Sequence, residues 1–561
     1  MIKPLSSDAI IHKYVVTQEN SNGELKKITF QNDKDFNFAY DIMDELAKKC
    51  PDKLALLHIS NTKKERRFTF KEIAAYSSKT ANYFKSLGIR KGDKVMLVLK
   101  RHYQFWFCML ALHKIGAVAI PASSLLVEQD YEYRFQAADV HYVVASDSGK
   151  IAEYIEKADR TVGMLKEKII VGASREGWRN FNEEMEQFSD KFERPVSQEE
   201  KMSGEDIALM IFTSGTSIHA KLAAHNFRYP LGHFVTARYW NQVDPDGLHL
   251  TISDTGWAKA MWGKIYGQWL CEAGIFVYDF DAFSAKDILH MVEKYKITTF
   301  CAPPTMYRVL IRMNLKDYDL SSLQHVTTAG EALNAEVFYK FYEATGHMIY
   351  EGYGQTETTM VLGAIQGMEP KPGAMGKPNP LYDVAVMDKE GNLCPVGEAG
   401  EIVIRTADGA PNGLFTGYYN EEEKTAQQWH DGYYHTGDQA RWDEDGYLWY
   451  EGRIDDLIKA SGYRVGPFEI ESELMKLPYV LECAVTSVPD KTRGQAIKAS
   501  IVLTKGVLAT ELLKKEIFGY INENLASYKR PRIVEFVKDL PKTTSGKIKR
   551  VEIRRQDWMA N

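Results

Sequence analysis

Four short stretches hold residue types that can do phosphate and acyl chemistry. The first is "IFTSGTSIHAK", Ile211 to Lys221, in which Thr213, Ser214, Thr216 and Ser217 bring four hydroxyls within five residues around Gly215. Such a loop turns tightly at its glycine and presents N–H and O–H donors to phosphate oxygens, with Lys221 as a mobile point charge. It departs from the GxxxxGK[ST] loop, because only one glycine is present and Leu222 follows the lysine. A polar turn between two strands accounts for these residues equally well. The second stretch is "YEGYGQTETT", Tyr350 to Thr359. Here Tyr353 can stack on a base, Thr356 can donate to a phosphate, and Glu357 can hold Mg²⁺ through an oxygen. Read blandly it is another polar turn, but the density of functional types after a buried run favours a site.

In the third stretch, "YYHTGDQARWDEDGYLWYEGRIDDLIKASGYRVG", Asp438 follows a Thr436-Gly437 turn. A carboxylate there can accept from two vicinal hydroxyls, as a ribose presents. Arg453, Lys459 and Arg464 follow, and as isolated charges they read as solvated. The fourth, "LPKTTSGKIKR", ends in Lys547, Lys549 and Arg550. A basic segment is usually surface or a nucleic-acid contact. The fixed turn "TTSGK" points instead to a positioned lysine.

The elements that must position these stretches alternate. "FKEIAAYSSKTANYFKSLG" has apolar residues at helical spacing and "KVMLVLK" reads as a buried strand; "FWFCMLALHKIG" and "AVAIPAS" repeat the order. Helix then strand, several times over, predicts an α/β domain with a largely parallel sheet. Further strands are expected at "IALMIF", "AGIFVYDF", "TTFCAPP", "HVTTAGEA" and "HMIYEGYG", with a surface helix at "AKDILHMVEKYK". From about 380 the texture turns to short strands and glycine turns, a smaller β-rich lobe. After "GRIDD" a compact α+β unit follows: helix "PFEIESELMKL", strands "VLECAVTSV" and "AIKASIVL", helix "TELLKKEIFGYINENL" and strand "RIVEFV". Its junction, near Arg453 to Lys459, has no Gly/Ser linker and so reads as a short hinge.

The chain has 561 residues, which predicts roughly three to four structural units. A hydrophobic fraction of 44% and a charged fraction of 26% describe a globular protein with ample core material. A formal charge of −6 argues against whole-chain nucleic-acid binding, which needs a basic face. The six cysteines are far apart with no CxxC pair, so they read as thiols in a reducing compartment rather than a zinc or disulfide set. The N-terminal "MIKPLSSDAIIHKYVV" resembles neither a secretory signal nor a transit peptide, and no run of about 18 apolar residues occurs. A cytoplasmic protein without integral membrane contact is expected; the oligomeric state is open.

In this order and at these separations, the four stretches resemble the adenylate-forming superfamily of acyl-CoA synthetases, peptide-synthetase adenylation domains and luciferase. The resemblance covers nearly all of residues 35 to 555. "TISDTGW", "YEGYGQTE", "SGYRVGP" and "LPKTTSGKI" are most similar to medium-chain acyl-CoA synthetases and their acetyl-CoA synthetase relatives. The resemblance implies a large domain over residues 1–454, with α/β sub-lobes at 35–375 and a β-rich lobe at 376–454. It also implies a small mobile α+β domain over 455–561, hinged at Asp455. The implied reaction joins a carboxylic acid to CoA at the expense of ATP, through an acyl-adenylate, with Mg²⁺ as helper and AMP and pyrophosphate as products.

Carried over position by position, Lys547 bridges the acyl oxygen and the α-phosphate, Thr356 contacts that phosphate, and Glu357 binds Mg²⁺. Asp438 and Arg453 hold the ribose; Gly330, Glu331, Ala332 and Tyr353 hold the adenine, with Glu351, Gly352, Gly354 and Gln355 completing the nucleotide strand. In the second half-reaction Ser461, Gly462, Tyr463 and Arg464 line the passage for CoA. Arg493, Arg530 and Arg532 are candidates for CoA phosphates, with a solvated face equally open for each. Acetyl-CoA synthetases close the acyl pocket with a tryptophan where this chain has Gly354. Room for a medium-chain, branched or aromatic acid is therefore expected, with Trp257 as a pocket wall.

The loop departs from the family's pattern at Ile218, where glycine is usual, and at Ala220, where proline is usual. A β-branched residue tolerates φ > 0 poorly. Two other outcomes stay open: an impaired homologue that binds nucleotide or acyl groups without turnover, and an enzyme that delivers to a carrier-protein thiol. No carrier domain follows residue 555, which weakens the latter. Glycine and proline restored at these positions should raise the activation rate if the loop is impaired.

Overall fold

A computed structural model describes residues 3–213, 220–460, 463–490, 494–543 and 546–560; the side chains of 459, 460, 463, 464, 494 and 560 are not described. Two large sheets dominate. One has eight strands, in spatial order Gly417–Tyr418, Leu222–Asn226, Ile207–Phe212, Val118–Pro121, Lys94–Val98, Tyr142–Ser146, Glu167–Val171 and Arg179–Asn180. Its pairings are parallel except where Leu222–Asn226 runs against both neighbours.

The other sheet has nine strands. Its parallel centre runs Ile349–Tyr353, His325–Ala329, Thr299–Ala302, Leu248–Thr251, Gly274–Tyr278 and Leu54–Ile59, with antiparallel strands at both margins. These centre strands read as continuous apolar or β-branched runs because both faces are covered.

Local chemistry sets the helices. Phe70–Ser86 begins with a capping box: Thr69 Oγ1 accepts from the Glu72 N–H at 3.2 Å, and the Glu72 carboxylate accepts from the Thr69 N–H at 2.8 Å. It buries Phe70, Ile73, Ser77, Ala81 and Phe84 at helical spacing. Gln104–Ile115 is buried on every side, so it has no polar face, and it stops at Gly116, whose φ of 82° suits only glycine. The main core gathers Trp106, Trp240 and Trp269 between the sheets.

A five-stranded antiparallel sheet follows, built on Ala399–Arg405, Tyr433–Trp442 and Leu448–Arg453. Beyond the short turn Ile454–Asp456 lies the small α+β unit, in which Val480–Asp490, Gly494–Leu503 and Ile533–Phe536 form a sheet. The helices Pro467–Leu474, Glu511–Asn524 and Arg550–Ala560 cover it. Among the described residues no helix is long and apolar enough to cross a membrane.

Candidate active site

Parallel strands put their following loops on one edge of the sheet, and ligands bind there. The loops after Leu248–Thr251, Thr299–Ala302, His325–Ala329 and Ile349–Tyr353 therefore gather at one place. A cleft of about 790 Å³ opens at this edge. It is lined by Gly330, Glu331, Ala332 and all of Glu351 to Glu357 from that sheet, and by Thr213 and Lys221 from the other. Tyr418, Thr436, Asp438, Tyr450 and Arg453 close it on a third side, and Lys547 and Arg550 on a fourth. Residues scattered over the sequence thus meet in one space.

Thr213 and Ala220 are the last described residues on either side of a hairpin, and the Ala220 carbonyl accepts from the Tyr133 hydroxyl at 2.8 Å. The Thr213 N–H donates to the Lys221 carbonyl at 2.8 Å, closing the antiparallel pair Ile207–Phe212 and Leu222–Asn226. Ser214, Gly215, Thr216, Ser217 and Ile218 lie outside the described residues. Lys221 Nζ stands 4.6 Å from the centre of the Tyr418 ring. Burial pulls its pKa below the usual lysine range while Glu357 opposes the shift.

Asp438 and Arg453 are direct partners across Tyr433–Trp442 and Leu448–Arg453. The Asp438 carboxylate accepts from the Tyr353 hydroxyl at 2.7 Å, Gln355 Nε2 at 2.5 Å and the Tyr450 hydroxyl at 3.2 Å, with Arg453 Nη1 at 3.4 Å. Arg453 also donates to the Thr436 carbonyl at 3.0 Å, and Tyr434 donates to Gln355 Oε1 at 2.8 Å. Attraction to Asp438 is the largest influence holding the guanidinium charge. This carboxylate is fixed before any ligand arrives, and its donors are replaceable by sugar hydroxyls. Gly437, at φ 72°, leaves the space beside it that Arg453 fills.

Glu351 and Glu357 sit six residues apart on one strand and its loop but in different surroundings. Glu357 is partly open to the cleft, with Oε1 2.7 Å from the Tyr418 hydroxyl. Glu351 is only 5% exposed; one oxygen accepts from the Leu333 N–H at 3.2 Å and the other has no partner. Burial pushes its pKa up to about 8, so the carboxyl is neutral at pH 7.

A raised folded-state pKa means the folded protein holds a proton that the unfolded chain, near 4.5, has lost. Wild-type stability therefore falls as pH rises from about 4.5 to about 8, by at most about 1.4 kcal/mol per pH unit. Glu351→Gln should lose this component, so its melting temperature should gain on wild type between pH 5.5 and 8.5. A constant difference across that range, in melts followed by circular dichroism, would show the carboxyl to be ionised throughout.

Comparison with known proteins decides the class of this cleft. The AMP-binding enzyme family model matches residues 43–419, and the AMP-binding enzyme C-terminal domain model matches 469–547. The chain belongs to the AMP-binding enzyme family. The human acyl-coenzyme A synthetase ACSM3, mitochondrial, is 39% identical over 93% of this chain and 90% of that protein. Its mouse counterpart is 37% identical over 98% and 95%.

Among solved structures, the anthranilate CoA ligase AuaEII in complex with anthranoyl-AMP superposes with a TM-score of 0.85 at 29% identity, covering 94% of this chain and 98% of that one. A benzoate CoA ligase from Burkholderia xenovorans LB400 does so with 0.80 at 25% identity, over 92% and 100%. The adenylate-forming fold, a large α/β domain followed by a small C-terminal one, is thereby shown for this family member.

At Gly354, where room for an acyl group is expected from the sequence, the backbone is closely packed. A Cβ built on Gly354 would meet the Trp262 indole at 2.6 Å and the Thr359 carbonyl oxygen at 2.5 Å. Gly354 does not leave open room: the indole of Trp262, 6% exposed, already fills it from a neighbouring helix, Ala258–Gly263. Trp240 lies against Gly352 in the same way and meets Trp262 edge-on at 5.9 Å. Trp257 caps the start of that helix, partly buried, and is not among the residues lining the large cleft. The signal for Trp262 was only its place in "WAKAMWGK", which periodicity reads as core.

Two side chains beside these loops carried no signal in the sequence. Lys259, on the same helix, donates to the Ala329 carbonyl at 2.6 Å, just before the Gly330 turn, and burial above all, with a smaller push from Lys547, depresses its pKa. His225 Nε2 lies 2.9 Å from the Thr356 carbonyl oxygen. Burial takes the His225 pKa to about 3, so the ring is neutral and donates through Nε2–H.

The expected CoA residues divide. Ser461, Gly462 and Arg493 lie outside the described residues, and Tyr463 and Arg464 are described only as backbone in the strand Tyr463–Val465. Arg530 is turned inward: it donates to the Leu525 and Asn522 carbonyls at 2.8 and 2.7 Å, capping the end of Glu511–Asn524. Two of its donors are thereby engaged within the small unit. Arg532 is exposed.

Proposed function

We propose that this synthetase activates branched, aromatic or medium-chain carboxylic acids and passes them to coenzyme A. The observation that supports the class of acid is the close packing of the buried Trp240 and Trp262 indoles behind Gly352 and Gly354, which line the cleft: among the described residues no channel for a long straight chain runs past the two glycines there, whereas a compact or planar group needs none. AuaEII, an anthranilate CoA ligase, and the Burkholderia benzoate CoA ligase agree with a planar occupant.

In the first half-reaction a carboxylate oxygen attacks the α-phosphorus and the bond to the β-phosphate breaks, releasing pyrophosphate. Charge develops on the transferring oxygens and the leaving group, where fixed cations are most effective. Lys547 neutralises the acyl and α-phosphate oxygens, Lys221 and the hydroxyls of the preceding loop take the pyrophosphate, and Thr356 donates to the α-phosphate. Asp438 and Arg453 take the ribose; Tyr353, Glu351 and the Gly330–Ala332 turn enclose the base, with Gly352 and Gln355 completing that wall.

Glu357 is a single hard oxygen donor open to the cleft, and among the described residues no cluster of three ligating side chains occurs. That donor set suits Mg²⁺, which prefers one or two carboxylates plus phosphate oxygens and water. The ion would neutralise phosphate charge there.

In the second half-reaction, residues 455–561 rotate about Asp455 and withdraw Lys547. Residues 461–464 then line the way for the CoA thiol, which attacks the carbonyl and expels AMP. One cleft serves two steps by exchanging its fourth wall.

A panel of acids of graded length, branching and aromaticity, with CoA present, tests the acid class by thioester formation. Benzoate-like or branched acids should exceed acetate and long straight chains in kcat/KM. Equal efficiency on acetate and hexanoate would sink the reading.

A further inference from the structure

Three residues beyond Lys547 lies a buried ionic lattice that the half-reactions above do not use. Arg550 opens the helix Arg550–Ala560 and grips Glu471 with two donors, Nε to Oε1 at 2.9 Å and Nη2 to Oε2 at 2.5 Å. Its Nη1 lies 3.6 Å from Asp456 Oδ2, while Arg554, one turn on, donates to Asp456 Oδ1 at 2.7 Å. Asp456 and Glu471 are 4% and 7% exposed, and Glu471 Oε1 also accepts from the Val485 N–H at 2.7 Å. A guanidinium fork on a carboxylate fork fixes orientation as well as distance. Buried charges of this kind add little net stability, so geometry is what they supply.

Each partner belongs to a different element of the small C-terminal unit. Asp456 ends the turn Ile454–Asp456, beside the proposed hinge. Glu471 belongs to the helix Pro467–Leu474, whose Ser472 carbonyl accepts from Asn334 Nδ2 at 3.3 Å, two residues past the Gly330–Ala332 turn. Phe468 of the same helix meets Tyr450 edge-on at 5.7 Å. Lys547 itself is held in a tight turn, its N–H 3.1 Å from Thr543 Oγ1.

We propose that Arg550 is a positioning residue for acid activation: together with Asp456, Glu471 and Arg554 it ties the Lys547 segment to the hinge turn and to the helix resting on the nucleotide wall. Lys547 then enters the cleft at one defined place whenever that helix docks. The inference rests on Lys547 as the activating lysine and deepens that reading.

The test assays each half-reaction of the full-length enzyme in Arg550→Lys and Asp456→Asn, with Lys547→Ala beside them. Both lattice variants should lower kcat for acid-dependent pyrophosphate release roughly 10- to 100-fold, as a misplacement of about 1 Å does. KM for ATP and for acid should hardly move, and thioester formation from supplied acyl-AMP should be retained. A merely structural role would lower both half-reactions together. That outcome, or unchanged activation in both variants, would overturn the proposal while Lys547→Ala still loses activation. Activation surviving in Lys547→Ala would overturn the underlying reading as well. Asp456→Asn, which keeps size and one acceptor oxygen, carries the test if Arg550→Lys unfolds.

Discussion

Replacing Lys547 with alanine should abolish acyl-AMP formation, a loss of about 100-fold or more, as expected when a preorganised donor to developing charge is removed. Thioester formation from supplied acyl-AMP should persist. Lys547 reaches the cleft from a turn beyond the hinge region, and its charge is felt by Lys259 on the helix Ala258–Gly263 of the large domain. A cation needed for phosphoryl transfer has no further task once pyrophosphate has left. Separate assays of pyrophosphate release and of acyl-AMP consumption distinguish the steps. Equal loss of both would contradict an exchange of the fourth wall.

The second large effect concerns the acyl wall. Trp262→Leu should move the preferred acid toward longer straight chains, because the indole occupies the space behind Gly354. Each additional buried methylene contributes about 0.8 kcal/mol, near fourfold in kcat/KM, so two or three together shift selectivity by roughly 10- to 50-fold. The unliganded variant should melt lower than wild type, since part of a packed indole is missing. A long acid should restore some of that loss by filling the gap. An unchanged chain-length profile would show that the acyl group lies elsewhere.

The chemistry was legible in the sequence where function forces residue types into short runs. "YEGYGQTE" falls at a strand end and "HTGD" within the strand Tyr433–Trp442, both lining the cleft, and the small C-terminal unit follows the helices and strands expected of it. Long-range packing was not legible. Leu54–Ile59 joins the sheet of Gly274–Tyr278, far along the chain, and nothing local marks that pairing.

Gly354 was read from the side chain it lacks; that Trp262 of another element packs against it is a long-range contact no local pattern marks. The hydrogen bonds from Arg530 to the carbonyls at the end of Glu511–Asn524 depend on how the chain folds back there, which no short run of sequence announces. The tyrosines at 418 and 450 gave no signal, because an aromatic residue in a strand is ordinarily core. Their hydroxyls nevertheless orient Glu357 and Asp438.

The most direct measurement is a rapid-quench experiment with excess enzyme, ATP, Mg²⁺ and a branched or aromatic acid, first without CoA and then with it. Without CoA, pyrophosphate and acyl-AMP should appear in equal amounts up to one per site. On adding CoA the acyl-AMP should convert to acyl-CoA and AMP. Nucleotide binding with no acid-dependent pyrophosphate from any acid, or formation of ADP in place of AMP, would contradict the adenylate-forming account.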